Sequence, residues 1–403
     1  MLQLSFVRFN KGSYLFVEGK QDNGHFYIIQ SGKVSCSSMN AVKGTVIDEL
    51  GPGDFVGVIS CMSNHSQVES VIALTEVVCI AVRREQYPEL IAQNTPVAMK
   101  IIRTFANRMR VLNEQLMRLT LNNTVAPTPD QIFHVAEFYD KAEKPDIATY
   151  AYYHYLKACP NGEYAAVVKK RFVMLKPKSK AVYLESNADM NRVYPKDTMI
   201  FSEFQSGADM FIIQDGQVKI SKVVNGNEVT LALLKNGDMF GEMALLENKP
   251  RSACAIANED CKLMVINRQN FNQMVASQPQ LVFRLTKTFA DRIWSMYRQL
   301  SNTQFIDPIE KMIDMLVLQV EKARVTFTGK TLYRTDLTPP DLATMCGITK
   351  EQQDRILYRF TSQSKFLHVD FPENKITVTD CEGLMKEAEF NRNNLRRSLA
   401  HED

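Results

Sequence analysis

A chain of 403 residues is long enough for two or three domains, each able to bury a core without disulfide or metal support. A net charge of +3 and ordinary apolar and charged fractions carry no global nucleic-acid or membrane-surface signature. No run of about 18 apolar residues occurs, so no membrane span is expected. Residues 1–9 lack the basic-then-apolar form of a signal peptide. The eight scattered cysteines form no close metal-ligand pair, as expected of free thiols in a cytoplasmic protein without a bound metal.

Taken in order, the chain first shows an internal repeat. Phe-Tyr-Ile-Ile-Gln-Ser-Gly-Lys-Val at 26–34 returns as Met-Phe-Ile-Ile-Gln-Asp-Gly-Gln-Val at 210–218. Gly53 and Asp54 return as Gly237 and Asp238, and Arg-Thr-Phe-Ala-Asn-Arg at 103–108 returns as Lys-Thr-Phe-Ala-Asp-Arg at 287–292, always 184 residues apart. Short alternating strands broken by Gly and Asn fill both copies, which predicts a small β-barrel or jelly roll closed by a helix. Each copy ends in a long apolar stripe at helical spacing: Ile101, Phe105, Met109, Leu112, Leu116 and Leu119 in the first, Val282, Leu285, Phe289, Ile293, Met296 and Leu300 in the second. Such stripes either pack on their own domain or form a two-helix seam, within one chain or between two.

Between the copies, Ala136, Tyr139, Ala148, Tyr152 and Pro160 are spaced like one tetratricopeptide helix pair. One such unit cannot bury its own face, so a spacer packed on a barrel is expected. Lys-Pro-Lys-Ser-Lys at 176–180 reads as a solvated linker. After the second stripe come an amphipathic helix over 307–323 and a short hairpin of 325–328 with 331–335 around Gly329 and Lys330. Thr338 is an N-cap with Pro339 at the first helical position, Gly347 breaks the run, and Thr349 caps a second helix from Lys350. That pattern predicts a helix-turn-helix. Strands at 366–370 and 375–379 would form a wing, and Asn-Arg-Asn-Asn-Leu-Arg-Arg at 391–397 reads as a solvated helix end.

The densest stretch is 237–253. Gly241 permits tight backbone geometry, and residues 244–247 can make one helical turn whose free N–H groups face an anion at its start. Pro250 resets the chain and presents Arg251, a fixed cation, beside the Ser252 hydroxyl. The set suits a small phosphate, with Glu242 left to accept from a sugar hydroxyl.

The order of these residues resembles the phosphate-binding cassette of cyclic-nucleotide-binding domains. The succession of barrel, long helix and winged helix-turn-helix over 186–380 is similar to the catabolite activator and Fnr regulator family. The resemblance implies an α+β chain: two jelly-roll barrels each followed by a long helix, a helical insert between them and a C-terminal winged helix. The expected domains are 1–121 (a degenerate cyclic-nucleotide-binding-like copy), 122–180 (spacer), 181–306 (cyclic-nucleotide-binding copy with its long helix) and 307–403 (winged helix and tail).

The resemblance also assigns roles. Gly241, Glu242, Met243, Arg251 and Ser252 would hold the cyclic phosphate and ribose, and Met296 and Tyr297 stand where the family contacts the base. Family membership favours cyclic AMP. In the first copy Val58 is set opposite Glu242 and Glu69 opposite Arg251, with a two-residue difference in the intervening loop. A carboxylate there would repel a phosphate, so that copy is expected to serve a structural role or to take a different ligand.

Thr349, Lys350, Glu351 and Arg355 fall on the family's DNA-contacting positions. One reading head per chain implies a homodimer on a palindromic site. Gln353 departs from an apolar position, Asp354 adds negative charge, and acids slightly outnumber bases over 307–403. The expected function is therefore a cyclic-nucleotide-responsive transcription regulator. The alternative is a signalling adaptor whose winged helix and insert bind protein. No nucleophile–base pair or cofactor motif points to an enzyme.

Overall fold

The computed structural model describes residues 4–38, 48–121, 128–181, 183, 190–224 and 226–400. The expected starts of the spacer at 122 and of the second repeat at 186 lie outside them. The chain divides into two compact units, Met1–Leu116 with Phe271–Gln304, and Met117–Asn270 with Phe305–Asp403.

In the first copy, strands β1 (Ser5–Phe9), β2 (Tyr14–Phe16), β3 (His25–Ser31), β4 (Val34–Ser37), β5 (Asp48–Leu50) and β6 (Phe55–Val56) lead to helix α1 (Val58–Ser63). Then follow β7 (Ser70–Ala73), β8 (Val77–Arg83), α2 (Tyr87–Gln93) and the long α3 (Thr95–Leu121). The strands form two four-stranded antiparallel sheets in the orders β1-β8-β3-β6 and β2-β7-β4-β5. Alternation places Leu15, Ile29, Val34, Val71 and Cys79, drawn from both sheets, in one core.

The insert is three helices, α4 (Gln131–Lys141), α5 (Pro145–Ala158) and α6 (Ala165–Leu175). The expected solvated linker is instead structured. Lys176–Lys178 continue α6 as a 3-10 turn, and the Lys180 N–H donates to Asp146 Oδ1 at 2.6 Å.

The second copy repeats the first element by element: β9 (Asn191–Tyr194), β10 (Met199–Phe201), β11 (Met210–Asp215), β12 (Val218–Val224), β13 (Asn227–Leu234), β14 (Met239–Phe240), α7 (Glu242–Glu247), β15 (Cys254–Ala257), β16 (Cys261–Ile266), α8 (Arg268–Ser277) and α9 (Pro279–Thr303). Its sheets, β14-β11-β16-β9 and β10-β15-β12-β13, reproduce both strand orders. The insert packs on this copy. Met199, Val223, Cys254 and Ile256 share a core with Ile132, Ala148 and Tyr152, and the Tyr139 hydroxyl donates to Glu228 Oε1 at 2.7 Å. Helix α9 packs on α1 and α2 of the first copy, where Trp294 stacks on His65 at 3.8 Å and the Tyr87 and Thr286 hydroxyls lie 3.0 Å apart.

The C-terminal part comprises α10 (Pro308–Lys322), β17 (Tyr333–Arg334), α11 (Pro339–Met345), α12 (Lys350–Gln363), β18 (Leu367–Asp370), β19 (Lys375–Val378) and α13 (Cys381–Ala400). Side-chain caps start the helices: Asp307 accepts from the Ile309 N–H at 3.0 Å, and Thr338 and Asp341 cap each other at 3.0 and 3.3 Å. The expected 325–335 hairpin does not form. β17 pairs with β19 instead, while the Gly329 N–H donates to Glu382 and the Thr331 carbonyl accepts from Cys381, so that segment's polar groups go to α13. Tail residues 391–397 lie on α13, where Arg392 bonds Asp314 of α10 at 2.6 Å.

Candidate functional site

The second copy's cassette is a strand, a left-handed glycine, one short helix and a return strand. Gly241, at φ +79, turns the chain from β14 into α7, and Asn248, at φ +56, ends that helix. The chain then presents Arg251, which is 6% exposed. Its backbone is fixed from both ends: its N–H donates to the Gln205 carbonyl at 2.9 Å, and its carbonyl accepts from the Phe204 N–H at 2.9 Å.

The guanidinium lies 4.2 Å from the Phe201 ring centre, and its Nη1 donates to the Gly241 carbonyl at 2.8 Å. A Cβ on Gly241 would stand 2.7 Å from Nη1, and one on Gly207 would stand 2.8 Å from Nη2. Two bare backbones therefore flank the cation. Nε is buried with no hydrogen-bond partner among the described residues. Burial lowers the Arg251 pKa to about 10, against the opposing pull of Asp209, Tyr150 and Glu242. A buried cation with an unfilled donor is matched by an anion that accepts from it.

Of the remaining expected residues, Glu242, Met243 and Ser252 belong to the unit that holds Arg251, and Met296 and Tyr297 to the other unit. Glu242, 1% exposed, opens α7 within electrostatic reach of Arg251. The Ser252 hydroxyl lies 3.8 Å from the Met243 sulfur, a weak partner easily exchanged for a better acceptor. Met296 and Tyr297 sit on α9, Met296 half-buried and Tyr297 buried. The Tyr297 hydroxyl donates to Glu69 Oε1 at 2.9 Å, and its ring faces Arg108 at 5.6 Å.

The first copy requires a correction. Its Gln67 N–H donates to the Lys20 carbonyl and its carbonyl accepts from the Gly19 N–H, both at 2.8 Å, which is the bonding made by Arg251 with Gln205 and Phe204. Gln67, not Glu69, therefore holds the position of Arg251, and the intervening loops are equally long. Setting Glu69 opposite Arg251 shifts the alignment by two residues, which strand register does not allow. The cation is replaced by a neutral amide, and Val68 stands in place of Ser252. Gly57 keeps φ +79, but a Cβ there would meet the Phe16 ring at 2.4 Å, so hydrocarbon fills the space beside this glycine. Glu69 pairs with Arg108 and holds Tyr297.

On the C-terminal part, Thr349, Lys350, Glu351 and Arg355 are all exposed along the first half of α12. Gln353 is accommodated at the junction of α11 and α12 by donating to the Thr344 hydroxyl and the Ile348 carbonyl, both at 3.3 Å. A polar residue is thus satisfied at a position expected to be apolar.

Phe201, Gln205, Gly207 and Asp209 were not identified from sequence. Only Gly207 left a trace, as a glycine in the loop before β11. The others act through contacts between strands distant in sequence.

This geometry defines a chain with two copies of one strand-and-cassette domain, of which the second buries an arginine and the first a glutamine. The cyclic nucleotide-binding domain family model matches both, at residues 6–94 and 191–278. A "Cyclic AMP receptor protein" of Thermus thermophilus is 28% identical over 179 residues, covering 43% of this chain and 77% of that protein. A "cAMP-activated global transcriptional regulator CRP" of Pasteurella multocida is 26% identical over 179 residues, 44% of this chain and 85% of that protein. Among solved structures, a CooA variant from Carboxydothermus hydrogenoformans aligns at 19% identity and a TM-score of 0.41, covering 59% of this chain and 94% of that one. Among the described residues, no helix is long and apolar enough to cross a membrane.

Proposed function

We propose that this chain is a transcription regulator in which a cyclic nucleotide, cyclic AMP in the first instance, binds the second copy and controls DNA binding by a C-terminal winged helix. The observation that carries the reading is Arg251, a buried guanidinium with an unfilled donor between two glycines. In this reading the phosphate meets Arg251, Ser252 and the backbone at Gly241, Glu242 accepts from the ribose, and Met243 borders the ligand. Thr349, Lys350, Glu351 and Arg355 read the major groove, and two chains place two such helices on a palindromic site. Ligand acts by binding one conformation of the chain more tightly than another.

Calorimetry with cyclic AMP, followed by DNA footprinting with and without it, tests both halves. Saturable binding abolished by Arg251→Ala, together with ligand-dependent, salt-sensitive footprints, is the expected result. Unchanged affinity in Arg251→Ala removes the pocket assignment.

A second reading, a signalling adaptor, draws on the surface of the same region. Tyr358, Phe371 and Phe390 are 75%, 86% and 65% exposed, and acids slightly outnumber bases over 307–403. Ligand-dependent capture of a protein, with no footprint, would select it.

A further inference from the structure

The loop at 202–205, after β10, is held from two sides. On one side it carries Arg251, whose N–H and carbonyl both bond to it at 2.9 Å. On the other it is gripped by the helical insert. The Tyr150 hydroxyl of α5 donates to the Ile200 carbonyl at 2.9 Å and accepts from Gln205 Nε2 at 3.2 Å. Gln131 of α4 donates to Glu203 Oε2 at 3.3 Å and to the Val223 carbonyl at 3.0 Å. Between these two points the Phe204 ring packs against the insert's core, while its backbone sits at φ +64. A bulky residue rarely adopts that left-handed conformation, and it persists where the surroundings hold it.

The first copy shows the same loop without this grip. Gly19, at φ +78, stands in place of Phe204, and the exposed Lys20 in place of Gln205. Glycine takes the left-handed conformation unaided. In the second copy the same backbone turn depends on a ring anchored in the insert, and the arginine depends on that turn.

We propose that the helical insert is a clamp that sets the anion affinity of the second copy, with Tyr150 and Phe204 as positioning residues acting on Arg251 through the 202–205 loop. This inference rests on the reading of Arg251 as the phosphate site. A clamped loop is ordered before the ligand arrives, whereas a released one must be ordered on binding, which weakens affinity without removing any ligand contact.

The test compares full-length wild type, Tyr150→Phe and Tyr152→Phe. Tyr152 donates to Asp140 at 3.1 Å inside the insert, so its variant perturbs the insert away from the loop. Two readouts are taken: cyclic AMP affinity by calorimetry, and amide exchange at Phe204 and Arg251 without ligand. Tyr150→Phe is expected to weaken cyclic AMP about tenfold and to speed exchange at both amides, while Tyr152→Phe changes neither. Gln205→Met cuts the same link from the loop side and serves if Tyr150→Phe misfolds.

Wild-type affinity and wild-type exchange in Tyr150→Phe overturn the clamp, as do equal effects in Tyr152→Phe. If wild type binds no cyclic AMP while exchange still rises only in Tyr150→Phe, the clamp stands and the cyclic-nucleotide reading falls.

Discussion

The two copies share a fold down to small devices. Gly57 and Gly241 both stand at φ +79, and the helices they begin end at Asn64 and Asn248, both left-handed. Arg84 and Arg268 each bond those helix ends, through Asn64 at 2.9 Å and through the Leu245 carbonyl at 2.9 Å. What differs lies at the start of the short helix, in the loop after it and beside the glycine: Val58 for Glu242, Gln67 for Arg251, Val68 for Ser252, and the Phe16 ring against Gly57. The shared scaffold is therefore independent of the anion chemistry. It persists in the first copy, where Glu69 and His65 are turned to holding α9.

The largest expected effect comes from erasing the difference on the charged side. Arg251→Gln, which copies the first cassette, should weaken cyclic AMP by about 10³-fold in calorimetry, since it removes a buried charge from its partner. The reverse change should fail alone. Gln67→Arg is expected to leave the binding stoichiometry unchanged because Phe16 occupies the space, and a second equivalent should need Phe16→Ala and Val58→Glu as well. Next come the glycines. Gly57→Ala and Gly241→Ala should each cost at least about 1–2 kcal/mol in thermal denaturation, because both sit at φ +79 and a Cβ would press on the Phe16 ring or on the Arg251 guanidinium, but only Gly241→Ala should also weaken ligand.

Tyr297→Phe should destabilise the first unit by about 1 kcal/mol through loss of the bond to Glu69, read by chemical denaturation. A further effect, silent near neutral pH, is a pH dependence centred on the insert. Burial, aided by Lys157, lowers the His154 pKa to about 4. The unfolded chain takes up that proton near pH 6.5 and the folded chain resists until about 4. This contribution is complete above about 6.5 and is lost as pH falls toward 4. Circular dichroism over an acid series should show the loss, and His154→Gln should flatten it.

The repeat, the long helices and the turn at Gly347 were legible because each rests on local signals: periodicity, caps and glycine. The cassette was legible for the same reason, since Gly241, Glu242, Arg251 and Ser252 lie within a dozen residues. The Glu69 assignment failed because backbone pairing with the distant 19–20 segment, not the local run of residues, decides which side chain takes the place of Arg251. The missing hairpin failed because α13 competes for the backbone groups of 329 and 331. The Phe16 ring beside Gly57, the Tyr150 grip and the Tyr297–Glu69 bond join segments far apart in sequence, and no local pattern announces them.

Arg251 also bears on where the molecule is weakest. A cation held out of water with one donor unfilled raises the free energy of its own loop, while the first copy buries a neutral amide at that place. The insert's grip on 202–205 opposes that cost, so local opening there, and early cleavage by a protease that samples open states, should appear once the grip is cut, as in Tyr150→Phe. A bound anion would close the opening by mass action. The sensing residue would thus also set the chain's lifetime, with message and survival read from the same guanidinium.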